Sequence, residues 1–175
     1  MIAIFCGSRE WKDEEAIRKV MSCLELDGLT ILHGAQRGAD ILSGEVAREL
    51  GVGIIPVPAE WETFGLSAGP IRNEQMKNIA VLAGKKYSQP VRCYAFHEDP
   101  MLGSGTRDMV KRARKAGIHS YVYLSVTPEM NRVDGEVICE ECNFPYWKHP
   151  SVISELDWEG RSFLELSCSG KYLKL

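Results

Sequence analysis

At 175 residues the chain has room for one domain with a small appendage, and its 45% hydrophobic and 26% charged residues are ordinary for a globular protein. Lysine and arginine number 21 against 24 aspartates and glutamates, a formal charge of −3, which argues against a general nucleic-acid binder. No apolar run reaches the roughly 20 residues needed to cross a bilayer, and the first six residues lack the basic leader and cleavage site of a signal peptide. A soluble, cytoplasmic protein with mostly reduced cysteines is therefore expected.

Residues 2–6 form a continuous apolar run that ends at a glycine, the pattern of a buried strand. Ile17, Val20, Met21 and Leu24 then follow helical spacing, with Asp13 as N-cap and Gly28 as the stop. Residues 30–33 read as a second strand and Leu42, Val46, Ala47 and Leu50 as a second helix closed by Gly51. Residues 53–58 read as a third strand, placed at an edge by its prolines. A loop over 59–70 carries Trp61 and Phe64. Met76, Ile79, Ala80 and Ala83 mark a third helix, opened by Pro70.

Residues 91–96 predict a fourth strand, and 97–105 a loop. Met109, Val110, Ala113 and Ala116 predict a helix closed by Gly117, on which Lys111, Arg112, Arg114 and Lys115 read as a solvated face. Residues 120–126 predict a fifth strand. Composition changes after Thr127 and Pro128, so 1–126 is read as the main domain and 127–175 as a small β-rich appendage, with strands at 137–138 and 163–166. Cys6, Cys23 and Cys93 fall in apolar patterns and read as small core residues.

Strands alternating with helices imply a Rossmann-like, three-layer α/β fold with a mostly parallel central sheet. In such sheets ligands sit at the carboxyl ends of the strands. Three glycine-rich turns fall there: Gly7, Ser8 and Arg9; Gly34, Ala35 and Arg37 with Asp40; and Gly103, Ser104, Gly105 and Thr106. Glycine exposes backbone N–H groups to an anion, helix dipoles add positive potential, and arginine offers a planar fork for phosphate. Neither a Walker loop nor a dinucleotide G-x-G-x-x-G is present.

Asp40 reads as an N-cap, or as a carboxylate that orients Arg37 or a ligand hydroxyl. His33 reads as a hydrogen-bonded structural residue rather than as a general base, the alternative for a histidine at a strand end. Arg72 and Asn73 stand in the first turns of the third helix, where a cation is unfavourable unless an anion offsets it, which points to ligand contact. Trp61 is read as core or as a platform for a base. Cys139 and Cys142, with His149 and Cys168, are the residues from which zinc ligands could be drawn, but their spacing fits no regular template and no metal is expected.

The chain resembles the SLOG superfamily, and within it the branch related to YspA and YpsA, found as small bacterial or phage proteins. The resemblance rests on Gly7, Ser8 and Arg9 with Trp11 and Asp13; His33, Gly34 and Ala35 with Arg37, Gly38, Ala39 and Asp40; and Pro58, Ala59, Glu60 and Trp61. It continues through Gly65 with Ala68, Gly69, Pro70, Arg72 and Asn73, and through Gly105, Thr106, Arg107, Asp108, Met109 and Val110. It covers about residues 1–126 and implies a pocket for nucleotides or ADP-ribose-type ligands. Relatives that often pair imply a homo-oligomer.

Some superfamily members are phosphoribohydrolases that cleave the base–ribose bond, using a glutamate three residues after the threonine of a glycine-rich motif. Here that position is Met109, and the carboxylate one residue earlier, Asp108, is turned by about 100° on a helix. Glu98 and Asp108 are the candidate acid/base groups. Binding, as a sensor or sequestering protein, is the leading expectation; N-glycosidic hydrolysis is the alternative, and single-stranded nucleic-acid binding ranks last.

Overall fold

A computed structural model of the chain describes residues 1–98 and 102–124, together with the backbone of four short strands further on. The five expected strands are β1 (Ile2–Gly7), β2 (Thr30–His33), β3 (Gly53–Pro56), β4 (Val91–His97) and β5 (His119–Leu124). All pair in parallel, in the order β3-β2-β1-β4-β5. The chain thus winds outward from β1 in one direction through β2 to β3, then crosses over to β4 and β5. The β1/β4 boundary is the switch point where such sheets open a crevice.

The helices between the strands are α1 (Glu14–Ser22), α2 (Ala39–Glu49), α3 (Trp61–Phe64), α4 (Ala68–Tyr87) and α5 (Ser104–Lys115). Period-two alternation along β1 divides the core. Ala3 and Phe5 pack with Ile17, Val20 and Met21 of α1 and Val46 and Ala47 of α2. Ile2, Ile4 and Cys6 pack with Met76 and Ala80 of α4 and Met109, Val110 and Ala113 of α5. The result is a helix–sheet–helix sandwich. Because both faces of β1 are covered, its residues had to form an unbroken apolar run.

Several boundaries differ from the sequence reading for local reasons. The expected loop at 59–70 contains α3 and a 3-10 turn, Gly65–Ser67, which leads directly into α4 at Ala68. Pro70 is therefore the third residue of α4, where its missing N–H still costs no hydrogen bond. Gly103 to Thr106 is the first turn of α5 rather than a free loop. Cys23, expected in the core, caps the end of α1 and is exposed.

Beyond the main sheet, β6 (Val137–Cys139) pairs with β9 (Tyr172–Lys174) and β7 (Ser154–Leu156) with β8 (Ser162–Leu164), both antiparallel. The candidate zinc ligands Cys142, His149 and Cys168 lie outside the described residues, and Cys139 is described in backbone only. Among the described residues no helix is long and apolar enough to cross a membrane.

Candidate functional site

A hollow of about 630 Å³ opens at the carboxyl edge of the sheet, over the β1/β4 switch point. Its walls come from the β1 loop, α3 and the turn after it, and the N-terminal turns of α2, α4 and α5. Gly7, Ser8, Arg9, Asp40, Trp61, Arg72, Asn73, Gly103, Ser104, Gly105, Thr106 and Asp108 all line it. Most of the candidate residues, spread over a hundred positions of sequence, therefore share one space.

The β1 loop is held from three sides. Ser8 N–H donates to Phe96 O at 2.8 Å, continuing the β1/β4 ladder by one bond. Ala39 N–H donates to Ser8 O at 3.1 Å, and Gly38, at φ +79°, brings its backbone so close that a side chain there would strike Ser8 and Arg9. Trp11 is buried against Phe96 with ring centroids 5.5 Å apart, and its Nε1–H donates to Asp13 O at 2.7 Å. Asp13 in turn caps α1 by accepting from Ala16 N–H at 2.9 Å, as expected. The loop is thus preorganised by packing before any ligand arrives.

The second glycine turn serves mainly to build the first. Gly38 and Ala39 clamp the β1 loop, and Gly34 lies beneath Arg72, where a Cβ would coincide with the guanidinium. Ala35, at φ +54°, donates its N–H to His33 Nδ1 at 3.2 Å. Neither Gly34 nor Ala35 lines the hollow. Arg37 is also outside it: its side chain is 72% exposed and pairs with Glu10. The structure does not bring this expected phosphate ligand to the site.

Asp40 departs from both of its expected structural roles. It is the second residue of α2, so the cap position belongs to Gly38, and no side-chain cap bond forms. Its partner is Arg72 rather than Arg37, with Nη1 3.3 Å from Oδ2 and side-chain exposures of only 12% and 5%. Burial raises the Asp40 carboxyl above its ordinary range, while Arg72 and the Gln36 N–H oppose that shift. The anion that offsets Arg72 near the positive end of α4 is therefore the protein's own carboxylate.

Opposite the β1 loop, Gly103 stands at the N-cap of α5, with no side-chain cap bond and no acidic residue in the first turn. The first amides of a helix lack intrahelical acceptors. Those of Ser104, Gly105 and Thr106 stand at the wall of the hollow, where the helix dipole favours negative charge. His97, at the end of β4, accepts Gly103 N–H on Nε2 at 2.7 Å and so fixes where α5 starts. Sequence reading passed over His97, although its place at a strand end marked it by the same rule as Gly7.

The two candidate acids part company. Asp108 lines the hollow, and its Oδ2 accepts from Asn73 Nδ2 at 2.9 Å and from Arg112 Nε at 2.8 Å. Asn73 also donates to Gly105 O at 3.2 Å, so it ties α4 to the start of α5. Glu98 instead accepts the Ser8 hydroxyl at 2.7 Å and lines a smaller, adjoining hollow with Glu10, Trp11, Lys12 and Asp13. Cys6 forms part of the main hollow's floor. A hydrogen bond with Cys93 and burial push its thiol well above the ordinary range, which disfavours the thiolate near neutral pH.

Residues 1–64 match the family described as YAcAr: YspA, cpYpsA-related SLOG family. The likeness read from the sequence is thus found over the part of the chain that carries the β1 loop, the second glycine turn and Trp61. Among solved structures the chain is similar to DNA processing protein A (DprA) from Streptococcus pneumoniae, at 18% identity and a TM-score of 0.52. The alignment covers 74% of this chain and 52% of that one, so the chain spans about half the length of that structure. At this identity the likeness speaks to the Rossmann-like fold. No curated protein matches the chain significantly.

Proposed function

We propose that the protein binds a nucleotide or an ADP-ribose-type ligand, as a sensor or a sequestering protein, with a phosphate held between the β1 loop and the start of α5. One observation carries the reading: the uncapped, acid-free N-terminus of α5 faces the Arg9-bearing loop across the switch-point hollow. Helix N-termini of this kind bind phosphate through backbone amides and dipole together, and Ser104 and Thr106 add hydroxyl donors. Arg9 supplies net positive charge, whereas Arg72, compensated by Asp40, supplies direction rather than charge. Match of the first 64 residues to a SLOG family supports the nucleotide class. Isothermal titration with AMP, ADP-ribose and NAD tests it; heats indistinguishable from dilution for all three would reject it.

A second reading, N-glycosidic hydrolysis, is favoured by Asp108 alone, a carboxylate on the wall of the hollow with one oxygen fixed by Asn73 and Arg112. Such a group suits the stabilisation of an oxocarbenium-like state better than Glu98, which lies behind Ser8. Release of free base from AMP, NAD or ADP-ribose, lost in Asp108→Asn, would establish it. Binding without turnover leaves the sensor or sequestering role.

A further inference from the structure

Resting on that nucleotide reading, we infer that Arg9 and Trp61 form an exchangeable clasp across the mouth of the hollow. A bound phosphate takes the guanidinium and frees the indole face for a planar ring. The two residues come from different walls, the β1 loop and α3, and Arg9 Cζ lies 5.7 Å from the centroid of the Trp61 ring. The indole is 40% exposed at the rim. Its far edge runs over Gly69, where an added Cβ would lie 3.4 Å from Cη2.

Arg9 is available for exchange because the described carboxylates beside it are committed elsewhere. Glu10, the adjacent carboxylate, pairs with Arg37, and Glu98 accepts from Ser8. Among the described residues, stacking on the indole is the contact given to the Arg9 guanidinium, and cation–π contacts at exposed sites are weaker than charge-assisted bonds from guanidinium to phosphate. An anion at the α5 N-terminus therefore wins the guanidinium from the ring. The vacated indole face then offers the sequence-tolerant stacking that aromatic side chains give to bases.

The thermodynamic consequence is linkage between the two halves of one ligand. A ring arriving alone must displace Arg9 without compensation, whereas phosphate removes that obstacle. By reciprocity the ring strengthens phosphate binding by the same factor. The clasp thereby selects molecules that carry both groups within reach of each other, over free phosphate or free nucleoside. It also changes the role expected of Trp61: in the free protein the ring is shared with Arg9, and it becomes a full platform on binding.

The test uses the four ribonucleoside monophosphates and ADP-ribose, then inorganic phosphate and the nucleoside of whichever ligand binds. Affinities come from calorimetry, and Trp61 emission from the difference between the wild type and Trp61→Phe. The nucleoside is expected to bind about tenfold tighter in saturating phosphate, within the usual range for coupled sites, and phosphate alone is expected to change Trp61 emission. In Arg9→Met, checked for an unchanged melting curve, the coupling factor is expected to fall to about one. If a nucleotide binds but phosphate leaves nucleoside affinity unchanged, the clasp is overturned and the nucleotide reading stands. If no nucleotide binds at millimolar concentration, both fall together.

Discussion

The guanidinium of Arg72 fills the space that a side chain at residue 34 would need. A methyl group on Gly34 would land on Nη1 and lie 2.7 Å from Asp40 Oδ2. Gly34 therefore acts as the floor of a seat in which a buried carboxylate holds an arginine at the edge of the hollow. Glycine's left-handed freedom is not what that position uses; only its missing side chain matters.

Gly34→Ala is expected to evict Arg72 and leave Asp40 buried without its partner. Removing one partner of a buried pair costs about 3–5 kcal/mol. Here both partners remain in the chain and the displaced atoms end a flexible side chain, so chemical denaturation should show a smaller loss, about 1–3 kcal/mol. A change below about 0.5 kcal/mol, the usual range for surface substitutions, would mean that the pair re-forms elsewhere and that the seat is dispensable.

Arg9 and Arg37 separate charge at the hollow from charge beside it. Arg9→Ala should weaken nucleotide binding by about 1.5–3 kcal/mol, the worth of a hydrogen bond to a charged group, with stability unchanged because the residue is exposed. Arg37→Ala removes an exposed ion pair with Glu10 and should change binding and stability by less than about 1 kcal/mol. Equal losses of affinity in the two variants would show that the phosphate sits nearer the second turn.

Gly7 is the point where β1 stops. A Cβ there would collide with the Phe96 carbonyl oxygen and lie 2.7 Å from Ala39 Cβ, so a strand backbone and the start of a helix would both have to move. Gly7→Ala is expected to destabilise the fold by about 2 kcal/mol or more and to weaken ligand binding too. Gly105→Ala, which meets nothing within 4 Å, should be tolerated by the fold. A Gly7→Ala protein that melts like the wild type would contradict the tight β1/β4/α2 junction.

His33 gives the stability a pH dependence of defined sign. Burial, with Arg72 and Arg48 nearby, holds its imidazole below the ordinary value of 6.5. Below pH 6.5 the unfolded chain takes up a proton that the folded protein resists. Stability is therefore complete above that value and falls as the solution is acidified. Protonation would also abolish the Nδ1 acceptor used by Ala35 N–H. Denaturation midpoints measured from pH 7.5 to 5 should fall, and fall less steeply in His33→Gln; parallel slopes would assign the acid sensitivity to other groups.

The sequence by itself determined the layers. An unbroken apolar run in β1, the 3.6-residue stripes of α1, α2 and α5, and glycines at strand ends are local signals, because each element's periodicity records which of its faces is buried. On α4 the expected stripe holds only in part, since Ile79 is exposed while Asn73 and Gly84 are buried beside Met76 and Ala80. The local signals also determined that the β1 loop, Arg72, Asn73 and the start of α5 would lie at one edge of the sheet. Only the tertiary structure decided who pairs with whom there. Whether Asp40 meets Arg37, three residues away, or Arg72, thirty-two away, depends on how closely α4 packs over the second glycine turn. The same packing leaves Arg37 outside, and the path of the chain after β4 puts Glu98 behind Ser8. Periodicity encodes burial one element at a time, whereas an ion pair across the hollow is settled by side-chain reach between elements that share no pattern.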